Sequence, residues 1–227
     1  MSKNIKDQVA HILMLQDTIE KKYLSEDKVI IERFNFCISC LNWTSEFFNK
    51  ENKTDSQKII YPLLSNSFSS ILVSINVGLW GTIIDSLHIL RPVLELLSVA
   101  DYIIDKDKFK DFKEVKKSLN KSKLDFEYLR KNKMIDVNLE KVYKKICDTS
   151  SHATVKRIFN NNFEMDGKVY NKYGCAYDPK NVGLLFGDIS QISLYLTRVI
   201  LPTLDKNDPL YAKQNELENS YKGLLKR

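Results

Sequence analysis

The sequence predicts an all-α protein, an irregular multi-helix bundle with one short irregular or hairpin-like insertion. Three observations carry this expectation. The 227 residues contain only seven glycines and five prolines, and a chain so poor in helix breakers suits long helices. Apolar residues recur at helical spacing over most of the length. Hydrophobic residues make up 43% and charged residues 28%, a mixture that supplies a core and a wet surface and excludes global disorder. The length suits a single helical domain over residues 1–227, and no repeat or low-complexity stretch divides it.

The first helix is expected over residues 5–22, with Val9, Ile12, Leu13, Leu15 and Ile19 as its buried stripe. Ser25 is placed to cap a second helix, with Glu26 and Asp27 favourable near its positive end. That helix is expected to reach Phe48 and to pack through Phe34, Ile38, Leu41 and Phe48. NKENKTDSQK, residues 49–58, reads as an exposed joint, and Pro62 suits the first turn of the next helix. Gly78 and Gly81 mark a break or a close helix crossing. The helix expected over 82–104 contains Pro92, which predicts a bend or an altered hydrogen-bond ladder.

A charged helix near 108–130, a turn at NKMID and a shorter helix over 137–149 follow. SSHATVKRIFNNN, residues 150–162, reads as helix passing into loop. NFEMDGKVYNKYGCAYDP carries Gly167, Gly174 and Pro179 and reads as an irregular insertion or a small hairpin. Periodicity returns over 181–200, with Pro202 ending that helix. Asp208 and Pro209 are the N-cap and first position of the last one.

The formal charge is +6, and its distribution matters more than its size. Residues 105–145 hold 14 Lys/Arg against 8 Asp/Glu, whereas the remainder holds 21 of each. A basic subregion there would attract nucleic acid, an acidic protein or an anionic membrane. The plainer alternative is a solvated helical surface, because acidic residues interrupt the run. The charged N-terminus shows no secretory apolar region, and no unbroken apolar run of about 18–20 residues argues for a membrane span. A cytoplasmic protein without transmembrane association is therefore expected. Amphipathic helices make a homo-oligomer credible, with Trp43, Phe47 and Phe48 serving either an interface or the chain's own core.

The best local clue to function is LHILRPVLELL, residues 87–97. Arg91 and Glu95 are an i,i+4 pair able to meet on one helix face. With Asp85 and His88 they make a polar seam beside Ile84, Leu87, Leu94 and Leu97. Such a seam either satisfies its own charges within a bundle or binds a ligand. In the second case Arg91 holds an anion, Glu95 orients it or accepts a proton, and His88 relays one.

A second cluster, YKKICDTSSH, spans Tyr143 to His152 and includes Asp148 and Ser150. Ser–His–Asp catalysis needs convergence in space, and no G-x-S-x-G elbow supports it here, so a cap or polar junction is favoured. Cys37 and Cys40 have CxxC spacing, yet FNFCISCLNW is helical in pattern and no second ligand pair accompanies them. Packing is favoured over zinc or redox work. Tyr170, Tyr173 and Tyr177 with Lys168 and Lys172 suit either base stacking or an exposed bundle edge. No phosphate-cradling glycine motif is present, and no cofactor or metal is assigned.

LRPVLELLSVADYI and YKKICDTSSHATV together resemble signatures of uncharacterised bacterial helical proteins loosely related to the HEPN superfamily. The resemblance covers mainly residues 60–155, and its matching positions are Arg91, Glu95, Tyr143, Ser150 and His152. It implies a helical domain with a role near nucleic acid or in a defence system. HEPN ribonucleases carry Arg followed by His after four to six residues, and none of His11, His88 and His152 has an arginine at that spacing. The expected function is therefore noncatalytic macromolecule binding, with nucleic acid or an acidic protein as partner. The alternative is a metal-independent RNA endonuclease using Arg91, Glu95 and His152.

Overall fold

The computed structural model describes residues 2–51, 54–106, 126–132, 135, 137–150, 162–165, 168–171 and 178–226. They form an all-helical, irregular bundle with one small hairpin. Four long helices come first: α1 (Ser2–Glu26), α2 (Lys28–Phe48), α3 (Asp55–Leu79) and α4 (Ile83–Lys106). Two shorter ones follow, α5 (Phe126–Lys131) and α6 (Val137–Ser150). Strands β1 (Asn162–Met165) and β2 (Lys168–Asn171) pair antiparallel, with Asn162 opposite Asn171 and Met165 opposite Lys168. The chain closes with α7 (Pro179–Ile200), a 3-10 turn at Leu201–Thr203 that contains Pro202, and α8 (Pro209–Leu224). The helix expected near 108–130 lies outside the described residues up to 125 and emerges from there only as α5.

Several boundaries differ from the sequence reading, each for a local reason. Ser25 does not cap α2. It belongs to α1 and its hydroxyl donates to the Lys22 carbonyl at 3.4 Å, while Asp27 takes the cap and accepts from the Ile30 N–H at 3.0 Å. Pro62 is not in the first turn of α3, which starts seven residues earlier at Asp55. A capping box sets that start. The Thr54 hydroxyl accepts from the Gln57 N–H at 3.3 Å, and the Gln57 amide oxygen accepts from the Thr54 N–H at 3.0 Å. Asp208 caps α8 as expected, accepting from the Leu210 N–H at 3.0 Å. Gly81 sits at φ 77°, a conformation side chains disfavour, and turns the chain between α3 and α4.

α7 is the central helix. Fourteen of its 22 residues are buried, more than one face provides, and it packs against α2, α3, α4 and α8. The α2–α7 contact runs through small residues. Cys37, Cys40 and Thr44 face Ser190, Ser193 and Thr197, each set spaced by three and four, and all six are buried. The Cys37 thiol and Ser190 hydroxyl are 3.4 Å apart. Of the packing residues expected for α2, Leu41 is buried and Phe34, Ile38 and Phe48 are half-buried against the core, while the deepest positions also include Phe36, Cys37, Cys40, Trp43 and Phe47. Likewise Leu13 and Leu15 of α1 are exposed, and Ile19 alone of the described stripe is buried.

The Ser193 hydroxyl oxygen is buried and makes no hydrogen bond of ordinary geometry among the described residues, with the weakly polar Cys37 thiol beside it. Such a group carries its desolvation cost uncompensated. Ser193→Ala is expected to raise the free energy of unfolding by about 1 kcal/mol in urea titration. A loss of that size instead would mean that the hydroxyl is satisfied.

α3 and α4 form a tight antiparallel pair. The Ser74 and Ser86 hydroxyls are 2.7 Å apart, and the Ser86 hydroxyl also lies 2.9 Å from the Ser74 carbonyl. A Cβ on Gly78 would stand 2.8 Å from Leu185 of α7, so glycine permits that crossing. Where the sequence reading found no segment fit to span a membrane, two described helices are long and apolar enough by composition. They are Gln57–Leu79 and Pro179–Thr203, with 39% and 67% of their apolar windows buried within the bundle.

Candidate functional site

α4 presents Leu90, Val93, Leu94 and Leu97 to the core, all fully buried. This fixes Arg91 and Glu95 at the edge where α6 packs. The Arg91 Nε lies 3.2 Å from the Glu95 Oε1. The Tyr143 hydroxyl of α6 donates to the same oxygen at 3.1 Å. The Arg91 guanidinium carbon stands 5.7 Å from the centre of the Tyr143 ring, and the Phe126 ring of α5 lies 4.3 Å from it on tilted planes. One carboxylate thus ties two helices together, with an aromatic pair beneath it.

The electrostatics match a structural joint. Burial, a hydrogen bond with Cys147 and the Glu95 charge push the Tyr143 hydroxyl up to about 12, against the opposing pull of Arg91. It therefore remains a donor at neutral pH. Burial pulls the Arg91 pKa down, but Tyr143, Cys147 and Glu95 outweigh it and raise the group above its ordinary value. The node is not sealed: the side chains of Arg91 and Glu95 keep 41% and 33% of their exposure. Its carboxylate is engaged by two donors, while the outer side of the guanidinium still reaches solvent and is able to meet an anion.

The structure brings together three of the residues singled out in the sequence: Arg91, Glu95 and Tyr143. Asp85 is exposed and His88 half-buried, and no hydrogen bond or ion pair among the described residues joins either to the node. The four-residue seam is thus a pair on α4 completed from α6. Ser150 is the last residue of α6, and His152 lies outside the described residues. Lys168 and Tyr170 are in β2, while Lys172, Tyr173, Cys175 and Tyr177 lie outside the described residues. Burial pushes the Cys37 thiol up to about 12 and raises Cys40 as well, so both are held as packed thiols. No three His, Cys, Asp or Glu side chains assemble as a metal-ligand set among the described residues.

Sequence reasoning missed three features. Cys147 and Phe126 complete the surroundings of Tyr143; the i,i+4 spacing of Tyr143 and Cys147 was the signal. Asp188 of α7 accepts from Lys145 of α6 at 2.9 and 2.6 Å. Its signal was a single charge in the apolar stretch 181–197. A groove of about 780 Å³ also runs between α2 and α8. Phe36, Trp43 and Leu217 form its floor, and Glu32, Glu46 and Glu216 line it, with Lys213 held by Glu46 at 2.8 and 2.6 Å.

In the described part of the basic subregion, Arg130 pairs with Glu127, Lys144 with Glu140 and Lys145 with Asp188, while Lys131 and Lys141 are exposed. Comparison with protein-family models, curated proteins and solved structures found no match, so the HEPN resemblance rests on the quoted residues alone.

Proposed function

We propose that the chain is a noncatalytic helical module that binds an anionic macromolecule, nucleic acid or an acidic protein, through its lysine-rich 105–145 stretch. The observation behind this reading is the charge distribution: the whole +6 excess falls within that stretch, and the remainder is balanced. The Arg91–Glu95–Tyr143 node supports it, because its carboxylate and phenol are spent on each other and on holding α4 to α6. Cytoplasmic residence belongs to the same proposal, and a place in a bacterial defence system is suggested by the HEPN resemblance alone.

The test is fluorescence anisotropy with single-stranded RNA, duplex DNA and an acidic polypeptide over a salt series. Affinity for at least one of them is expected to fall linearly with log salt, with the probe left intact. Lys131→Glu with Lys141→Glu should flatten a nucleic-acid salt slope by about 2. No salt-dependent binding to any of the three probes overturns the proposal.

A second reading, a metal-independent RNA endonuclease, is favoured by the 41% exposure of the Arg91 side chain. His152 would take the proton from a ribose 2′-hydroxyl, whose oxygen attacks phosphorus to give a 2′,3′-cyclic phosphate as the 5′-oxygen leaves and takes a proton from water. Arg91 would hold the phosphate charge and Glu95 would orient Arg91. RNA cleavage lost in both Arg91→Ala and His152→Ala supports this reading, and cleavage unchanged in both removes it.

A further inference from the structure

Residues 59–84 contain no Asp, Glu, Lys, Arg or His. A charge-free run of that length normally belongs to a helix buried on every side. α3 is not such a helix. Ile60, Leu64, Ser67, Ile71, Ser74 and Gly78 turn inward, but Pro62, Asn66, Ser69, Val73 and Asn76 form an exposed stripe spaced by four, three, four and three. Leu72 widens it, and Leu72 and Val73 are 37% and 50% exposed. On the neighbouring α4, Pro92 is exposed, and Ile89 and Leu96 are half-buried along the edge next to Ser86, the residue that touches α3. The outer stripe of α3 is thus uncharged from Pro62 to Asn76, in a chain that is 28% charged; exposed Lys58 stands one turn before it, and exposed Asp85 one turn before Ile89 on α4.

We infer that this face binds a second copy of the chain, through an interface in which the outer stripes of two α3 helices lie against each other about a two-fold axis. Charge decides the partner. A nucleic acid needs cations, and an acidic or basic protein needs the opposite sign; the stripe offers neither. At a two-fold axis a side chain meets its own copy, so a charge meets the same charge. Asn and Ser escape that conflict because an amide or hydroxyl both donates and accepts, and Asn66, Ser69 and Asn76 supply such groups on either side of apolar Leu72 and Val73. A chain of net charge +6 repels its copies, and the α3 stripe from Pro62 to Asn76 is a surface on which they can approach without adding like-charge contacts.

The size is adequate. From Pro62 to Asn76 the stripe is about 21 Å long at the helical rise of about 1.5 Å per residue. With the α4 edge beside it, two such faces bury on the order of 1,000 Å², the lower bound for a specific interface. Insertion in a bilayer would place the same amides and hydroxyls in hydrocarbon without partners. The inference is independent of either functional reading.

The experiment is sedimentation equilibrium of the full chain up to about 100 µM, with Val73→Lys and Asn76→Lys as variants and Ala212→Lys as the control. Ala212 is exposed on α8, away from the stripe. The wild type and the control are expected at twice the monomer mass. Each stripe variant should raise the dimer dissociation constant at least about tenfold, with helical content and melting temperature of the dissociated chain retained. A wild type that stays monomeric throughout, or a dimer that both stripe lysines leave intact, overturns the inference. So does flotation of the wild type with neutral phosphatidylcholine vesicles that Val73→Lys abolishes, which would assign the face to lipid.

Discussion

Trp43→Ala is expected to lower the free energy of unfolding by about 3–5 kcal/mol and to release α8 from α2. Trp43 is 3% exposed and belongs to the core cluster, so truncation leaves a large void. Its indole Nε1–H also donates to the Leu210 carbonyl at 2.9 Å, a link that reaches the first turn of α8 from 167 residues away. Trp43→Phe separates the two effects. It keeps most of the buried surface but removes the indole donor, leaving the carbonyl its helical hydrogen bond, for an expected loss of about 1 kcal/mol. Denaturant titration gives the totals, and amide exchange in α8 reports where the loss is felt. Equal losses in both variants would place the whole cost in the hydrogen bond.

Lys145→Ala is the second large effect, and it depends on pH. Asp188 keeps only 13% of its side-chain exposure, and the Lys145 ammonium donates to both of its carboxylate oxygens. Breaking a buried ion pair costs about 3–5 kcal/mol. Lys145 is half exposed, so solvent screening reduces the expected loss to about 1–2 kcal/mol near neutral pH. Burial raises the Asp188 pKa above its ordinary value, with Lys145 and Arg33 pulling it back. A carboxyl group with a raised folded pKa stabilises the fold below its unfolded value, about 4, and that contribution is lost as pH rises through the folded value. Removing Lys145 enlarges this loss. The deficit of the variant should therefore open as pH rises above about 4 and close below it, in melting temperatures taken from about pH 3 to 7. A deficit constant over that range would attribute the effect to packing instead.

The helices were legible in the sequence because their signals are local. Asp208 before Pro209, the pair Gly78 and Gly81, and the apolar run near 181–200 each act within a few residues, and the structure places α8, the α3–α4 turn and α7 there. Errors arose where two local signals competed. Ser25 and Asp27 are both capping residues, and the choice depended on how far α1 continued. Pro62 is compatible with a first turn, but the Thr54–Gln57 capping box sets the start earlier. In the site, Arg91 and Glu95 share one helix and followed from spacing. Spacing alone did not bring Tyr143 to them; it stood in a separate polar cluster, YKKICDTSSH, and again among the positions of the HEPN resemblance, and its contact with Glu95 depends on how α6 docks. Lys145 and Asp188, 43 residues apart on different helices, had no local signal to connect them.

The position of α7 has a consequence for synthesis. The helix around which the bundle closes begins at Pro179, so α2, α3 and α4 emerge from the ribosome without the surface that covers them. The separation between Arg33 and the Gly183 carbonyl it binds is 150 residues. At cellular elongation rates that interval takes roughly 8–30 s. During it the nascent chain carries uncovered leucines and isoleucines, a state that favours chaperone capture and makes the polypeptide aggregation-prone when translation stalls before α7.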